Sequence, residues 1–443
     1  MNKTLVWKLL ALAVLALVLE FALGHIQGKV RERQTTRDGA VKTIAEHYAK
    51  EQQLLGPLLW VKCQETQSET YTTAQGKTAR RDVTRDCSHI LRPAHLGVQG
   101  NMEVSERYRG IYKARVYLAA LQLRAQFPAL VLKPGQTAQS GILVLGVKDP
   151  RGIKRIKVTD TAGNAREPQP GVPNDSFEAG IQLPVSVSTI AAGLALDLEI
   201  ELAGTGRLDL VPFGSDNDFS LRSNWPHPSF VGQFLPETRA VDGAGFSARW
   251  RVNDFATGGE RLLASRASSP CLGVSLLDPV DAYTQSNRAV RYGFLFVLLT
   301  LGGFLLFELL RAKPLHPLQY ALVGFAVVIF FLMLLAFSEH LPFAAAYLIA
   351  ASACVGLLGT YGRTLLGSWQ SAGLLALGYS LLYVCLYQLL ASEDYALLLG
   401  ATLVFAVLAL TMYLTRRFDW RAGGTCRDES ASPAELPATA SQP

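Results

Sequence analysis

The stretch SNWPHPSFVGQFLPETR, Ser223 to Arg239, sets a serine, an asparagine, a histidine and a tryptophan among three prolines. Nucleophilic catalysis here would need His227 to orient Ser223 or Ser229, with a carboxylate behind the imidazole. The stretch holds no nucleophile-elbow pattern. Its prolines favour another reading. Pro226, Pro228 and Pro236 each lack an N–H, and each pushes the residue before it, Trp225, His227 or Leu235, toward extended backbone. A stiff, donor-poor segment suits a sheet edge or a strap across a sandwich. Trp225, Phe230 and Phe234 are then apolar anchors, and Trp225 and His227 are the positions at which a ligand would be met.

Sulfur and imidazole offer a second chemistry. Cys87, His89 and His95 could reach one metal ion, with Asp86 nearby. Their spacing matches no common zinc motif, and loop polarity beside Pro93 accounts for it more simply, so no metal or cofactor is expected. Cys63, Cys87 and Cys271 lie in one segment, and an odd count leaves a thiol over after any pairing. Cys63–Cys87 is the pairing to set against buried or free thiols. Cys354 and Cys385 fall in apolar runs and Cys426 in the tail.

Arg151, Lys154, Arg155 and Lys157 form a basic run that could meet phosphate or anionic headgroups, or simply be one solvated strand face. Gly204-Thr205-Gly206 lacks the third glycine and the helix of a dinucleotide site, and reads as a turn. Ionisable groups in or beside apolar runs carry more weight, because charge in hydrocarbon is costly and usually pairs or faces a cavity. Glu20, Glu308, His316, Glu339 and His340 are such groups. Interfacial snorkelling with helix pairing is one reading; a polar pathway or headgroup site along a bundle is the other. Glu308 stands within a turn of Arg311, which predicts a local ion pair.

The elements that must position these residues divide the chain. Of 443 residues, 49% are hydrophobic and only 18% charged, a balance that leans toward membrane. Six segments are long and apolar enough to span: Leu5 to Leu23, Tyr292 to Leu310, Leu318 to Ser338, Pro342 to Gly359, Ser371 to Ala391 and Tyr395 to Thr415. Lys3 and Lys8, then Arg311, Lys313 and His316, then Arg363, then Arg416, Arg417 and Arg421 mark alternate connections, whereas Glu339 and Glu393-Asp394 mark the others. That is the positive-inside pattern. It predicts cytoplasmic termini and a large domain outside. Ala22 and Gly24 could satisfy a signal-peptide cleavage site, but Glu20 inside the run and the helical spacing of Val41, Ile44, Ala45 and Tyr48 favour an uncleaved anchor.

The intervening segment alternates with period two. Leu194, Leu196, Leu198, Ile200 and Leu202 share one face, as do Phe246, Ala248, Trp250 and Val252, and Leu121, Leu123, Ala125 and Phe127. Glycine and proline breaks separate these strands, which predicts a β-sandwich. The expected fold is an α+β membrane protein: an anchor at 1–24, a periplasmic β-sandwich-like domain at 25–291, a five-span bundle at 292–417 and a disordered cytoplasmic tail at 418–443. The net charge of +6 is modest, lies largely beside spans, and calls for no nucleic-acid partner.

Longer motifs carry a resemblance. SNWPHPSFVGQFLP, with AGTGRLDLVPFG before it and GFSARW after it, is similar to the CreD family of bacterial inner-membrane proteins. So are QQLLGPLLWV (Gln52 to Val61), DPRGI (Asp149 to Ile153), FELLRAKPLHPLQYALVG (Phe307 to Gly324), LLAFSEH (Leu334 to His340) and YALLLG (Tyr395 to Gly400). The resemblance implies the same layout, a role in envelope integrity and stress tolerance, and expression under a two-component regulator. It implies no catalytic residues. The function expected is therefore non-enzymatic, through binding of membrane lipids, an envelope polymer, or a periplasmic or inner-membrane protein. A transporter or sensor built on the six spans is the alternative.

Overall fold

The computed structural model describes residues 3–72, 78–160, 163–173, 177, 179–259, 270–276, 282–311, 315–391 and 396–416. The tail at 418–443, Lys313, Glu393, Asp394, Arg417, Arg421, Cys426 and the side chain of Arg311 lie outside the described residues. The chain divides into two compact units. Residues 36–279 form one, and residues 1–35 with 280–443 form the other.

The alternation of apolar and polar residues builds the first unit. After helix α1 (Lys3–His47) come β1 (Gln52–Thr72), β2 (Thr78–Leu91), β3 (His95–Arg109), β4 (Tyr112–Phe127) and β5 (Gln136–Val147). They are followed by β6 (Ile153–Asp160), β7 (Ala165–Arg166), β8 (Gln169–Pro170), β9 (Gly180–Val185), the short helix α2 (Val187–Ala192) and β10 (Leu194–Thr205). Then come β11 (Arg207–Leu210), β12 (Asp216–Ser223), β13 (Pro228–Gly232), β14 (Thr238–Asp242), β15 (Gly245–Asn253), the one-turn α3 (Asp254–Thr257) and β16 (Leu272–Leu276).

The described strands make two sheets of eight. One runs β13-β16-β11-β1-β5-β9-β8 with β2 on β1, and the other β14-β15-β12-β3-β4-β10-β6-β7. One hydrophobic core takes side chains from both, among them Leu59, Val61, Leu143 and Val274 from the first and Tyr117, Leu121, Phe219 and Trp250 from the second. The predicted faces of β4, β10 and β15 are the buried ones. Each large apolar side chain so buried contributes about 1.5–3 kcal/mol.

Two features follow from this frame. β1 and β2 pair from Leu59↔Leu91 to Thr72↔Thr78, whereas β5 follows β1 only as far as Glu65. Beyond that point the two strands form a polar ribbon. The proline-rich strap supplies β13, an edge strand paired with β16, where a proline at the strand start removes no needed ladder bond.

Apolar runs build the second unit. It contains α4 (Ala282–Arg291), α5 (Gly293–Arg311), α6 (Pro317–Ser338), α7 (Phe343–Leu366), α8 (Trp369–Ala391) and α9 (Ala396–Thr415). Five described helices, α1 and α6 to α9, are long and apolar enough to cross a membrane; the pair α4–α5, bent by 48°, makes a sixth if it counts as one span.

Helix α1 outruns the anchor expected at 1–24. Good helix formers and a Lys29–Glu32 pair at 2.8 Å continue it through the polar segment, so that boundary falls inside a helix. Residues up to 35 belong to the helical unit, where Leu19, Leu23, Ile26 and Val30 form a buried stripe. A Cβ on Gly324 would meet Leu19 Cδ1 at 2.2 Å, so α1 packs directly on α6 as small residues allow. The sequence reading set the anchor apart from the bundle; this stripe makes it one of the packed helices.

Candidate functional site

In the helical unit two ion pairs sit at the two ends of α6. At its start, Glu308 of α5 accepts a hydrogen bond from the Tyr320 hydroxyl at 2.6 Å and forms an ion pair with Lys8 of α1. Both charged side chains are more than four-fifths covered. The predicted partner of Glu308 was Arg311, one turn away. The Arg311 side chain lies outside the described residues; the partner that the structure shows is a cation 300 positions distant, because α1 packs against α5 and α6 and brings Lys8 into reach. His316 caps α6: its ring nitrogen accepts from the Leu318 N–H at 3.2 Å, and Gln319 reciprocates at the His316 N–H at 2.9 Å, a capping box with histidine as the cap.

At the other end of α6, roughly 28 Å away by helix rise, Glu339 pairs with Arg33 at 3.4 Å. Ser286 and Ser338 lie 3.5 Å apart, and Gln27 donates to Asn287 at 3.4 Å. His340 is exposed, and only its backbone N–H is bonded, to Phe337. Helix α1 is thus fixed to its neighbours by charge at both ends of its packed stripe, and the predicted residues Glu308 and Glu339 occupy opposite ends.

In the sheet unit the end of α1 meets a buried knot. Gln52 donates to the carbonyls of Asp149 and Ala203 at 3.0 Å each and accepts from the Asp149 N–H at 3.2 Å. The Asp149 carboxylate takes the Lys50 N–H at 3.0 Å and the Arg151 guanidinium at 2.7 and 2.9 Å, while Arg151 also reaches the Glu46 carbonyl at 2.8 Å. The Arg151 guanidinium, with help from the two backbone N–H groups, holds the buried carboxyl down at about 2. Gly152 is required here, because a Cβ would meet Gln52 Nε2 at 2.2 Å and the Ala203 carbonyl at 2.3 Å.

The remaining predicted residues take quieter places. Trp225 packs against the core, donates from its indole to the His227 carbonyl at 2.9 Å, and carries the Arg115 guanidinium 4.5 Å from its ring centre. His227 is exposed at the edge of that ring. Ser223 accepts from the Trp225 N–H at 3.2 Å, and among the described residues no carboxylate stands behind His227, so the strap assembles no triad. The basic run disperses: Arg155 pairs with Glu201 across the ladder, Arg151 with Asp149, and Lys154 lies over the Tyr48 ring.

Cys63 and Cys87 stand opposite each other on β1 and β2, Cα to Cα 4.8 Å, and are joined as a disulfide. A ring nitrogen of His89 lies within 4.8 Å of both sulfurs, but bonded sulfurs are not thiolate ligands. The side chains weighed as ligands have partners of their own, with His89 on Gln136, Asp86 on Gln64, and His95 on Asp216.

These contacts join the motifs that carried the resemblance. QQLLGPLLWV meets DPRGI in the knot, and Phe307–Gly324 folds so that its own Glu308 and Tyr320 touch. The family model for inner membrane protein CreD matches residues 4–421. The chain belongs to the CreD family. Inner membrane protein CreD of Escherichia coli (strain K12) is 35% identical over 433 residues, covering 95% of each chain. As a CreD family member with several apolar helices, the chain is a membrane protein. Sequence reasoning missed Lys8 as a partner, since it stood among the flanking charges of the first span. Its signal was position: a cation inside the apolar run needs an anion, and Glu308 is the acid at the matching depth.

Proposed function

We propose that the chain supports the integrity of the bacterial cell envelope from the inner membrane, without catalysing a reaction, through partners met by an outward-facing sheet domain. The observation that carries this reading is the bonded Cys63–Cys87 pair in the unit inserted between α1 and α4. Stable disulfides belong to oxidising compartments, and the periplasm is the oxidising side of an inner membrane. The charge pattern agrees. With α1, α4–α5 and α6 to α9 each crossing once, Lys8, Arg363 and Arg416 fall on the cytoplasmic side and Glu339 on the other.

The ion pairs Lys8–Glu308 and Arg33–Glu339 lie at the two ends of the helical unit, which suits a scaffold that holds α1 in place. Partners are then lipid, envelope polymer or another envelope protein. The reading is tested in cells lacking the chain and challenged with a membrane-perturbing detergent. Wild-type chain restores survival, and so do Ser223→Ala and His227→Ala, the residues a triad would need. Loss of rescue by either, at normal protein level, would overturn the non-catalytic assignment.

A further inference from the structure

A cleft of about 350 Å³ opens within the helical unit, between the apolar run of α1 and the start of α6. Its size is that of a ligand cleft, about 300–1,000 Å³. Leu12, Leu15 and Val18 form one wall and Leu318 and Ala321 the other. Its polar side chains, Lys8 and Tyr320, stand together, the ammonium 5.6 Å from the centre of the ring. One residue beyond Val18, Leu19 packs on Gly324, and there the two helices close. The cleft is thus apolar along its length and polar at one end.

Both helices are long and apolar enough to cross a membrane, so each gives a ruler for its depth. Along α1 it runs from Lys8 to Val18, ten residues and roughly 15 Å; along α6 it runs from Pro317 to the Gly324 contact, seven residues and roughly 10 Å. Either length fits one leaflet, half of a hydrocarbon core of about 30 Å. Trp7, 70% exposed beside Lys8, is the kind of side chain that sits at headgroup level. The polar end also offers donors. Lys8 has three N–H bonds, of which Glu308 takes one. His316, next to the lining residue Pro317, accepts the Leu318 N–H at Nδ1, so its proton sits on Nε2 of an exposed side chain. An ammonium and an imidazole N–H suit a phosphate. Glu308 already offsets the Lys8 charge, so the site selects the phosphate and not the net charge of the lipid.

We propose that this cleft holds one acyl chain of a phospholipid, with the lipid phosphate on Lys8 and His316. The inference goes beyond the reading of the sheet unit. It concerns the helical unit alone and holds for either orientation in the membrane, so each can fail while the other stands.

The full chain is reconstituted in vesicles of phosphatidylethanolamine and phosphatidylglycerol, with a trace of phosphatidylglycerol carrying a diazirine midway along one acyl chain. After irradiation the labelled peptides are mapped. Residues 12–18 and 318–321 are expected to carry about ten times the label of the exposed Leu398, Phe405 and Leu408 of α9, the factor that one charge-assisted hydrogen bond gives. A diazirine phosphatidylethanolamine gives the same excess; a diazirine diacylglycerol, which lacks the phosphate, gives none. Ala11→Phe fills the cleft and leaves the Lys8–Glu308 pair intact, so it loses the excess with its unfolding midpoint unchanged. Leu17→Phe, on α1 but outside the cleft, labels as wild type. Even labelling of α1, α6 and α9, an equal excess from the diacylglycerol, or an unaffected Ala11→Phe would overturn the proposal. Absence of label at the cleft in a chain that runs as a dimer would give the cleft to a second copy and overturn the lipid assignment.

Discussion

Lys8 of α1 and Glu308 of α5 form an ion pair that the Tyr320 hydroxyl completes from α6. Three helices thereby meet at one carboxylate. Removing one partner of a covered pair leaves an uncompensated charge, at a cost of roughly 3 kcal/mol. Glu308→Ala and Lys8→Ala are each expected to lower the unfolding midpoint of the detergent-solubilised chain by several degrees. The exchange Lys8→Glu/Glu308→Lys restores most of the loss, which is the outcome a generic packing defect would not give. Tyr320→Phe costs less, about 1 kcal/mol. A swapped pair no more stable than either single variant would dismiss the contact.

The disulfide sits at the root of the two-stranded ribbon. A lone hairpin is marginally stable in water, so a crosslink there has something to hold. Cys63 and Cys87 close a loop with a sequence separation of 24, for which the chain-entropy account gives about 3 kcal/mol. Non-reducing peptide mapping should recover the Cys63–Cys87 crosslink and Cys271 as a free thiol, and Cys63→Ala/Cys87→Ala should unfold earlier. Recovery of both as free thiols in protein from intact cells contradicts the pairing.

Gly152 lies against Gln52 and the Ala203 carbonyl with no room for a methyl group. Gly152→Ala should destabilise the sheet unit by roughly 1–3 kcal/mol through overpacking, visible as a lower midpoint in near-ultraviolet circular dichroism. Gly243→Ala is the control, since a Cβ there meets nothing within 4 Å. Equal midpoints for Gly152→Ala and wild type would show that the knot yields.

Asp149 gives a pH dependence of known sign. Its carboxyl is held from the usual 3.8 down to about 2, first by the Arg151 hydrogen bond. A depressed folded value means that the stabilisation is fully present above the unfolded value. It is lost as pH falls through about 4 toward 2 and amounts to about 2 kcal/mol. Asp149→Asn should therefore be less stable than wild type at pH 7, and the gap should close as the pH approaches 2.5. A constant gap across that range would refute the assignment.

The strands and spans were legible because single-residue periodicity sets them. Leu194 to Leu202 alternates, and so does the burial of β10; Leu318 to Ser338 is apolar throughout and is α6. The strap was legible from Pro226 and Pro228, whose missing N–H groups suit an edge. What was not legible depends on pairing across distance. Glu308 has a basic neighbour one turn away in sequence, and nothing local says that Lys8 also reaches it. Arg155 reads as free cation until Glu201 is placed opposite it by the β6–β10 register. Gln52 and Asp149 are ordinary residues in sequence, and only the close approach at Gly152 makes them a buried knot.

The account rests most on which side of the membrane holds the sheet unit. Reporter insertions at Gly171 and Gly243, both in that unit, measure this directly. The account predicts activity from alkaline phosphatase, which works only outside the cytoplasm, and darkness from a fluorescent protein that matures only inside it. A fluorescent, phosphatase-negative result at both positions would contradict it.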